Sequence, residues 1–84
     1  MNSIEWTKKA RKQLKKIDRS DQKTVYDAAA TLAYFPNCAN VKQLVSHQYP
    51  YRLRVGRYRI FFDALTTIKI IRIEEVKKRD ERTY

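Results

Sequence analysis

Four arginines fall within eight residues of one stretch, Tyr51-Arg52-Leu53-Arg54-Val55-Gly56-Arg57-Tyr58-Arg59-Ile60-Phe61-Phe62-Asp63. A guanidinium presents planar donors that match a phosphate or carboxylate two bonds at a time, and it stays charged at any working pH. Such a cluster can bind an anion and stabilise negative charge as it develops. It cannot take up a proton. A second group of basic residues closes the chain, Lys77-Lys78-Arg79-Asp80-Glu81-Arg82-Thr83-Tyr84. Cations beside a terminal aromatic are the means of gripping single-stranded nucleic acid by phosphate contact and base stacking. A solvated, frayed terminus is the plainer alternative for that tail.

The elements that must position these arginines are strands. Tyr51, Leu53 and Val55 alternate with Arg52 and Arg54, and Tyr58, Ile60 and Phe62 alternate with Arg59 and Phe61. Gly56, the only glycine, sits first in a two-residue connection, where a type II′ turn requires positive φ. Pairs in that hairpin sum to 113, which sets Arg54 opposite Arg59, with Arg52 on the same face. Like charges directly opposite are destabilising, so the arrangement points to an anionic ligand rather than to stability.

The rest of the sequence supports an external anion. There are 19 Lys and Arg against 9 Asp and Glu, a net charge of +10, so few carboxylates are left to neutralise the arginines internally. A polyanionic partner follows: nucleic acid, an acidic protein, or an anionic membrane surface. The membrane is the weakest of these, because the basic segments lack a broad insertable apolar face. At 84 residues with 43% hydrophobic content the chain makes one domain, residues 1–84. It has no apolar run of membrane-spanning length and no signal pattern, so a cytoplasmic protein is expected. The single Cys38 and single His47 carry no nucleophile motif, and no metal-ligand spacing or phosphate-cradling glycine loop implies a metal or small-molecule cofactor.

In chain order, residues 2–6 read as a short strand burying Ile4 and Trp6. Thr7 then caps a helix whose apolar stripe is Ala10, Leu14 and Ile17. Its other faces carry Lys8, Lys9, Arg11, Lys12, Lys15 and Lys16 without one acid, either a solvated face or a footprint for a phosphate backbone. A second helix, from Asp21 to about Tyr34, repeats the pattern with Val25, Ala28, Ala29 and Leu32, and Pro36-Asn37 ends it. Val41 to Leu44 is a short candidate strand. After the hairpin, a turn at 64–67 leads to Ile68-Lys69-Ile70-Ile71-Arg72-Ile73, read as a central strand covered on both faces. The fold class is α+β, in the order β-α-α-β-β-β, a small, mostly antiparallel twisted sheet with a helical hairpin on one face.

That order, the Tyr-x-Leu-Arg-x-Gly-x-Tyr-Arg-Ile hairpin and the tail ending in Tyr84 resemble the RelE/ParE superfamily of type II toxin–antitoxin toxins, more closely its RelE side. The resemblance covers nearly the whole chain. It implies a ribosome-dependent mRNA endoribonuclease that blocks translation and arrests growth, with ribosome and mRNA as targets and a cognate antitoxin as its protein partner. Arg52, Arg54, Arg59 and Tyr84 match family positions, and the basic position after the last strand falls on Lys78 or Arg79. Arg54, Arg59, Lys78, Arg79 and Tyr84 become the catalytic candidates. Arg52, Arg57, Lys77 and Arg82, with Lys8, Lys9, Arg11 and Lys12 on the first helix, become RNA contacts.

Metal-independent RNA cleavage uses the adjacent 2′-OH as nucleophile, so a site must orient that hydroxyl, stabilise the phosphorane-like transition state and protonate the leaving 5′-oxygen. Arginines on a rigid sheet suit the second of these requirements. The family can carry lysines where this chain has Arg52 and Arg54, and arginine is a poor base. Proton transfer therefore falls to Tyr84, a tail lysine, His47 or ribosomal RNA, and Tyr84 serves equally well as a stacking residue. Two other readings share the fold: a ParE-like inhibitor of DNA gyrase, and a noncatalytic basic nucleic-acid-binding module.

Overall fold

The computed structural model describes residues 1–79. Strand β1 (Ser3–Trp6) is followed by helices α1 (Lys8–Lys15) and α2 (Arg19–Ala30), a 3₁₀ turn at Thr31–Tyr34, and strands β2 (Val41–Gln43), β3 (Tyr51–Val55), β4 (Tyr58–Leu65) and β5 (Ile70–Lys78). One five-stranded sheet has the order β1-β5-β4-β3-β2. Among the described residues only the β1–β5 pairing is parallel. The expected α+β architecture holds, with β2 added at the edge. Among the described residues no helix is long and apolar enough to cross a membrane.

Both helices lie on one face of the sheet because both carry an apolar stripe and the strands alternate. Leu53, Val55, Ile60, Phe62, Ile71 and Ile73 turn toward Ala10, Val25, Ala29 and Leu32, and all are buried. Each large side chain enclosed this way contributes roughly 1.5–3 kcal/mol. Thr7 caps α1 as expected, its Oγ1 accepting from the Ala10 amide at 3.1 Å. The turn between the helices is tied by Gln22, whose side-chain amide donates to the Ile17 carbonyl at 2.9 Å and to that of Lys15 at 3.3 Å.

Helix α2 starts at Arg19, two residues before the Asp21 expected from sequence, with Asp18 at its cap. Asp21 instead ties the helix to the sheet. Its carboxylate accepts from the Tyr58 hydroxyl at 2.8 Å, joining α2 to β4.

The last strand differs most from expectation. Strand β4 runs to Leu65, so the reversal falls at 66–69, with Lys69 at φ 56° and Ile68 exposed in the turn. Strand β5 starts at Ile70 and continues to Lys78. It is flanked by β1 and β4 but helices cover only one of its faces, which leaves Ile70 half-buried on the other. Its alternation breaks at a bulge: Phe61 pairs with Glu75 while Phe62 pairs with Ile73, so Glu74 is the extra residue. A bulge resets which residues face which side. Val76 therefore returns to the core opposite Ile60, and Glu75 and Lys77 turn to the open face beside Phe61 and Arg59.

Beyond β1, the exposed edge of β5 is closed by α1. The Val76 amide donates to Gln13 Oε1 at 2.7 Å, and Thr7 Oγ1 donates to the Glu74 carbonyl at 3.3 Å. Helix α1 thus stands where a further strand would pair, and its N-terminal turn borders the open face.

Candidate nucleic-acid interface

The turn that fixes the arginines has Gly56 at φ +55°, with Arg57 outside the positive-φ region, which is the type II′ geometry. The pairing of β3 with β4 follows the expected register: Arg52 opposite Phe61, Leu53 opposite Ile60, Arg54 opposite Arg59 and Val55 opposite Tyr58. Across the open face this makes two ranks. One runs Lys42, Arg52, Phe61, Glu75; the next runs Arg54, Arg59, Lys77. The Arg79 amide donates to the Arg57 carbonyl, which holds the end of β5 against the turn.

Arg52, Arg54, Arg57, Arg59 and Arg79, with Gly56 and Tyr58 of the turn, line one cleft of about 150 Å³. Among the described residues none of the five is in an ion pair. Arg52 goes further: its Nε is buried and has no hydrogen-bond partner among the described residues. A buried charged donor left unpaired is costly, so it marks a place where a ligand oxygen would complete the structure.

The only carboxylate in the two ranks is Glu75, 8% exposed. It is already engaged, with Lys9 Nζ at 3.4 Å and Lys77 Nζ at 3.9 Å. The Glu75 hydrogen bond holds the Lys9 ammonium above its ordinary pKa. Tyr49 lies against the same carboxylate, and burial, then Glu75, push its hydroxyl up. Tyr49 therefore keeps its proton and can donate, but it is no base.

Sequence reasoning missed the aromatic half of this face. Phe61 occupies an open-face position, yet it is only 6% exposed. The β2–β3 loop covers it: the His47 ring stacks on Phe61 with centroids 5.1 Å apart and planes 15° from parallel, and Tyr49 lies 5.6 Å away at 30°. The available signal was Phe61 itself, a large apolar residue in phase with arginines. His47 Nδ1 accepts from the Tyr49 backbone N–H at 3.0 Å, which places the proton of the neutral ring on Nε2. In this tautomer His47 offers a donor where a general base would need a lone pair. Cys38 packs against the core on the opposite side of the sheet, its thiol pKa raised by burial, so the two make no dyad.

The other predicted residues divide. Lys78 is opposite Tyr58 and so falls on the helix-bearing face, away from the cleft, whereas Lys77 and Arg79 belong to the arginine side. Of the α1 bases, Lys9 reaches the open face through Glu75; Lys8, Arg11 and Lys12 are on the helix outside the cleft. Arg82 and Tyr84 lie outside the described residues. No group of three or more His, Cys, Asp or Glu among the described residues is placed to hold a metal ion.

Comparison with known proteins places this geometry in context. The sequence profile described as "ParE toxin of type II toxin-antitoxin system, parDE" matches residues 4–82. No curated protein matches the sequence. Among solved structures, the archaeal RelE–RelB complex of Pyrococcus horikoshii OT3 contains a chain similar at TM-score 0.79, with 22% identity over 95% of this chain and 97% of that one. A chain of the toxin–antitoxin complex RelBE2 of Mycobacterium tuberculosis has TM-score 0.79 and 20% identity, covering 93% and 98%. The isolated E. coli RelE toxin reaches TM-score 0.80 at 13% identity, covering 99% and 89%. At such identities the likeness is one of fold.

Proposed function

The chain belongs to the ParE toxin family of type II toxin–antitoxin systems, within the RelE/ParE superfamily, and we propose that it is a ribosome-dependent mRNA endoribonuclease. The observation that carries this reading is the cleft of five arginines without a carboxylate partner among the described residues, in which Arg52 Nε is buried and unpaired. A phosphodiester supplies the oxygens that such a cleft lacks.

In the proposed reaction the ribose 2′-oxygen attacks the neighbouring phosphorus, the bond to the 5′-oxygen breaks, and a 2′,3′-cyclic phosphate and a 5′-hydroxyl result. Negative charge grows on the non-bridging oxygens as phosphorus becomes five-coordinate. Arg54 and Arg59, opposite each other on paired strands, take those oxygens, and Arg52, on the same face of β3, orients the phosphate. Donors fixed in place before reaction are worth most where charge develops, typically about 10²–10³ in rate for each one. Arg57 and Arg79 hold the flanking backbone, and Lys9 and Lys77 extend the positive field along β5. None of these removes a proton. Uptake of the 2′-hydroxyl proton and delivery of a proton to the leaving 5′-oxygen fall to Tyr84 or to the ribosomal RNA, and the dependence on the ribosome follows from the incompleteness of the arginine cleft.

The antitoxin partner is proposed on two supports: membership of the family and the occurrence of similar chains in complexes with RelB. An acidic segment would be drawn to the cleft by the net charge of +10. One observation favours a second reading, inhibition of DNA gyrase: the profile that matches is that of ParE toxins. The two separate in one pair of assays. Purified protein cuts mRNA on programmed ribosomes while leaving gyrase-dependent supercoiling intact; intact ribosomal mRNA with arrested supercoiling would reverse the assignment.

A further inference from the structure

The His47–Phe61 stack has a geometry that the arginine cleft does not account for. His47 is exposed, yet its ring is fixed three ways: by the 5.1 Å stack on Phe61, by the bond from the Tyr49 amide to Nδ1, and by closure of its loop, where the Leu44 amide donates to the Pro50 carbonyl at 2.8 Å. Ser46 takes φ 54° to make that turn. One face of the imidazole lies on Phe61, and the residue is exposed. Phe61 is itself the direct cross-strand partner of Arg52, so the shelf and the unpaired Arg52 Nε adjoin. Residues opposite on paired strands have Cβ atoms only about 5 Å apart, less than the spacing between a nucleotide's phosphate and its base.

We propose that the His47 ring is a nucleobase shelf: one base of the bound RNA stacks on its open face while the phosphate of the same or the adjoining nucleotide enters the arginine cleft at Arg52. Phe61 backs the ring, and Nε2–H at its edge, without an acceptor among the described residues, donates to a base or ribose oxygen. Every nucleobase has a π-face, so stacking alone tolerates all four, and the Nε2 donor favours bases with an acceptor at that edge. Nothing in this role requires His47 to titrate. The loop between β2 and β3 would then position the substrate, while the hairpin arginines act on its phosphate.

This inference rests on the reading of the cleft as an RNA site, and its test separates the two. Binding of a short RNA carrying a 2′-O-methyl block at every position is measured by fluorescence anisotropy for wild type, His47→Ala, His47→Phe and Arg54→Ala, with each RNA position in turn made abasic. Stacking on one ring predicts that His47→Ala weakens binding about tenfold, that His47→Phe restores most of it, and that one abasic position weakens wild type but adds nothing to the loss in His47→Ala. Equal binding by wild type and His47→Ala, with Arg54→Ala weakened, overturns the shelf and leaves the RNA cleft standing. A loss in His47→Ala that neither Phe nor any abasic position echoes also overturns it, as a defect of the loop. Absence of RNA binding by the wild type, both to the free RNA and to the same RNA held on programmed ribosomes, overturns both.

Discussion

Arg54 and Arg59 stand directly opposite each other across the β3–β4 hairpin, and among the described residues neither has a carboxylate partner. Their repulsion weakens the hairpin in the absence of a ligand, and an anion between them removes that penalty. Function and stability thus oppose each other at this pair. Arg54→Glu replaces the repulsion with a cross-strand ion pair and raises Tm by about 1–4 °C, while RNA cleavage falls by about 10²-fold or more. Thermal unfolding alongside a cleavage assay checks both signs. A Tm that falls with the substitution would show that the arginines were already balanced within the fold.

The bulge at Glu74 decides which of two adjacent lysines shares the face of the arginines. Lys77→Ala removes a cation from the arginine side, and Lys78→Ala removes one from the helix side. For binding to single-stranded RNA, each lost phosphate contact lowers the slope of log affinity against log salt by about 0.7. Lys77→Ala and Arg79→Ala are expected to show that reduction, and Lys78→Ala to retain the wild-type slope. Titrations at several salt concentrations decide it, since a purely nonspecific charge effect would make the two lysine variants alike.

Tyr58 and Asp21 join the hairpin to α2 through one hydrogen bond of 2.8 Å. That bond raises the Tyr58 pKa above its ordinary 10.0, with burial adding to the effect. A raised folded-state pKa contributes stability that is fully present below the unfolded value and is lost as pH climbs through the folded one. Tyr58→Phe is expected to cost about 1–2 kcal/mol at neutral pH. The gap between wild type and variant should narrow above a pH of about 10. Urea unfolding of both proteins, from neutral pH to about one unit above the ordinary tyrosine pKa, measures it. A constant gap would contradict the assigned bond.

Gln13 completes the edge of β5 by accepting from the Val76 amide at 2.7 Å. Gln13→Leu leaves that 5% exposed residue's N–H without a partner and is expected to cost about 1–3 kcal/mol. Amide exchange at Val76 should accelerate in the variant. Glu at this position can still accept the bond and should preserve protection there; equal loss in both variants would assign the effect to packing of α1.

Much of this fold is readable in the sequence because its signals are local. Alternation and one glycine specify the hairpin and its register, and the stripe Ala10, Leu14, Ile17 after Thr7 specifies α1. What escaped has a nonlocal cause. The Ile-Arg-Ile-Glu-Glu-Val segment reads as ending at Ile73 because its period is broken, and only pairing with β4 shows that the break is a bulge and that the strand reaches Lys78. The choice between Lys78 and Arg79 depended on that bulge. His47 and Tyr49 sit in a loop without periodicity, and their place on Phe61 is set by tertiary contact. Glu75 stood in sequence as one of two adjacent acids; the fold alone makes it the meeting point of Lys9, Lys77 and Tyr49.

Cleavage of mRNA on the ribosome by the hairpin arginines is tested most directly by mapping new mRNA ends. Primer extension is run on programmed ribosomes treated with wild type, Arg59→Ala or Lys78→Ala, each first shown to be folded. Wild type and Lys78→Ala are predicted to cut within the codon held in the A site, and Arg59→Ala to cut at least about 10²-fold more slowly. Intact mRNA with the wild-type protein, or cutting that Arg59→Ala leaves unchanged, would contradict the proposed role of these arginines.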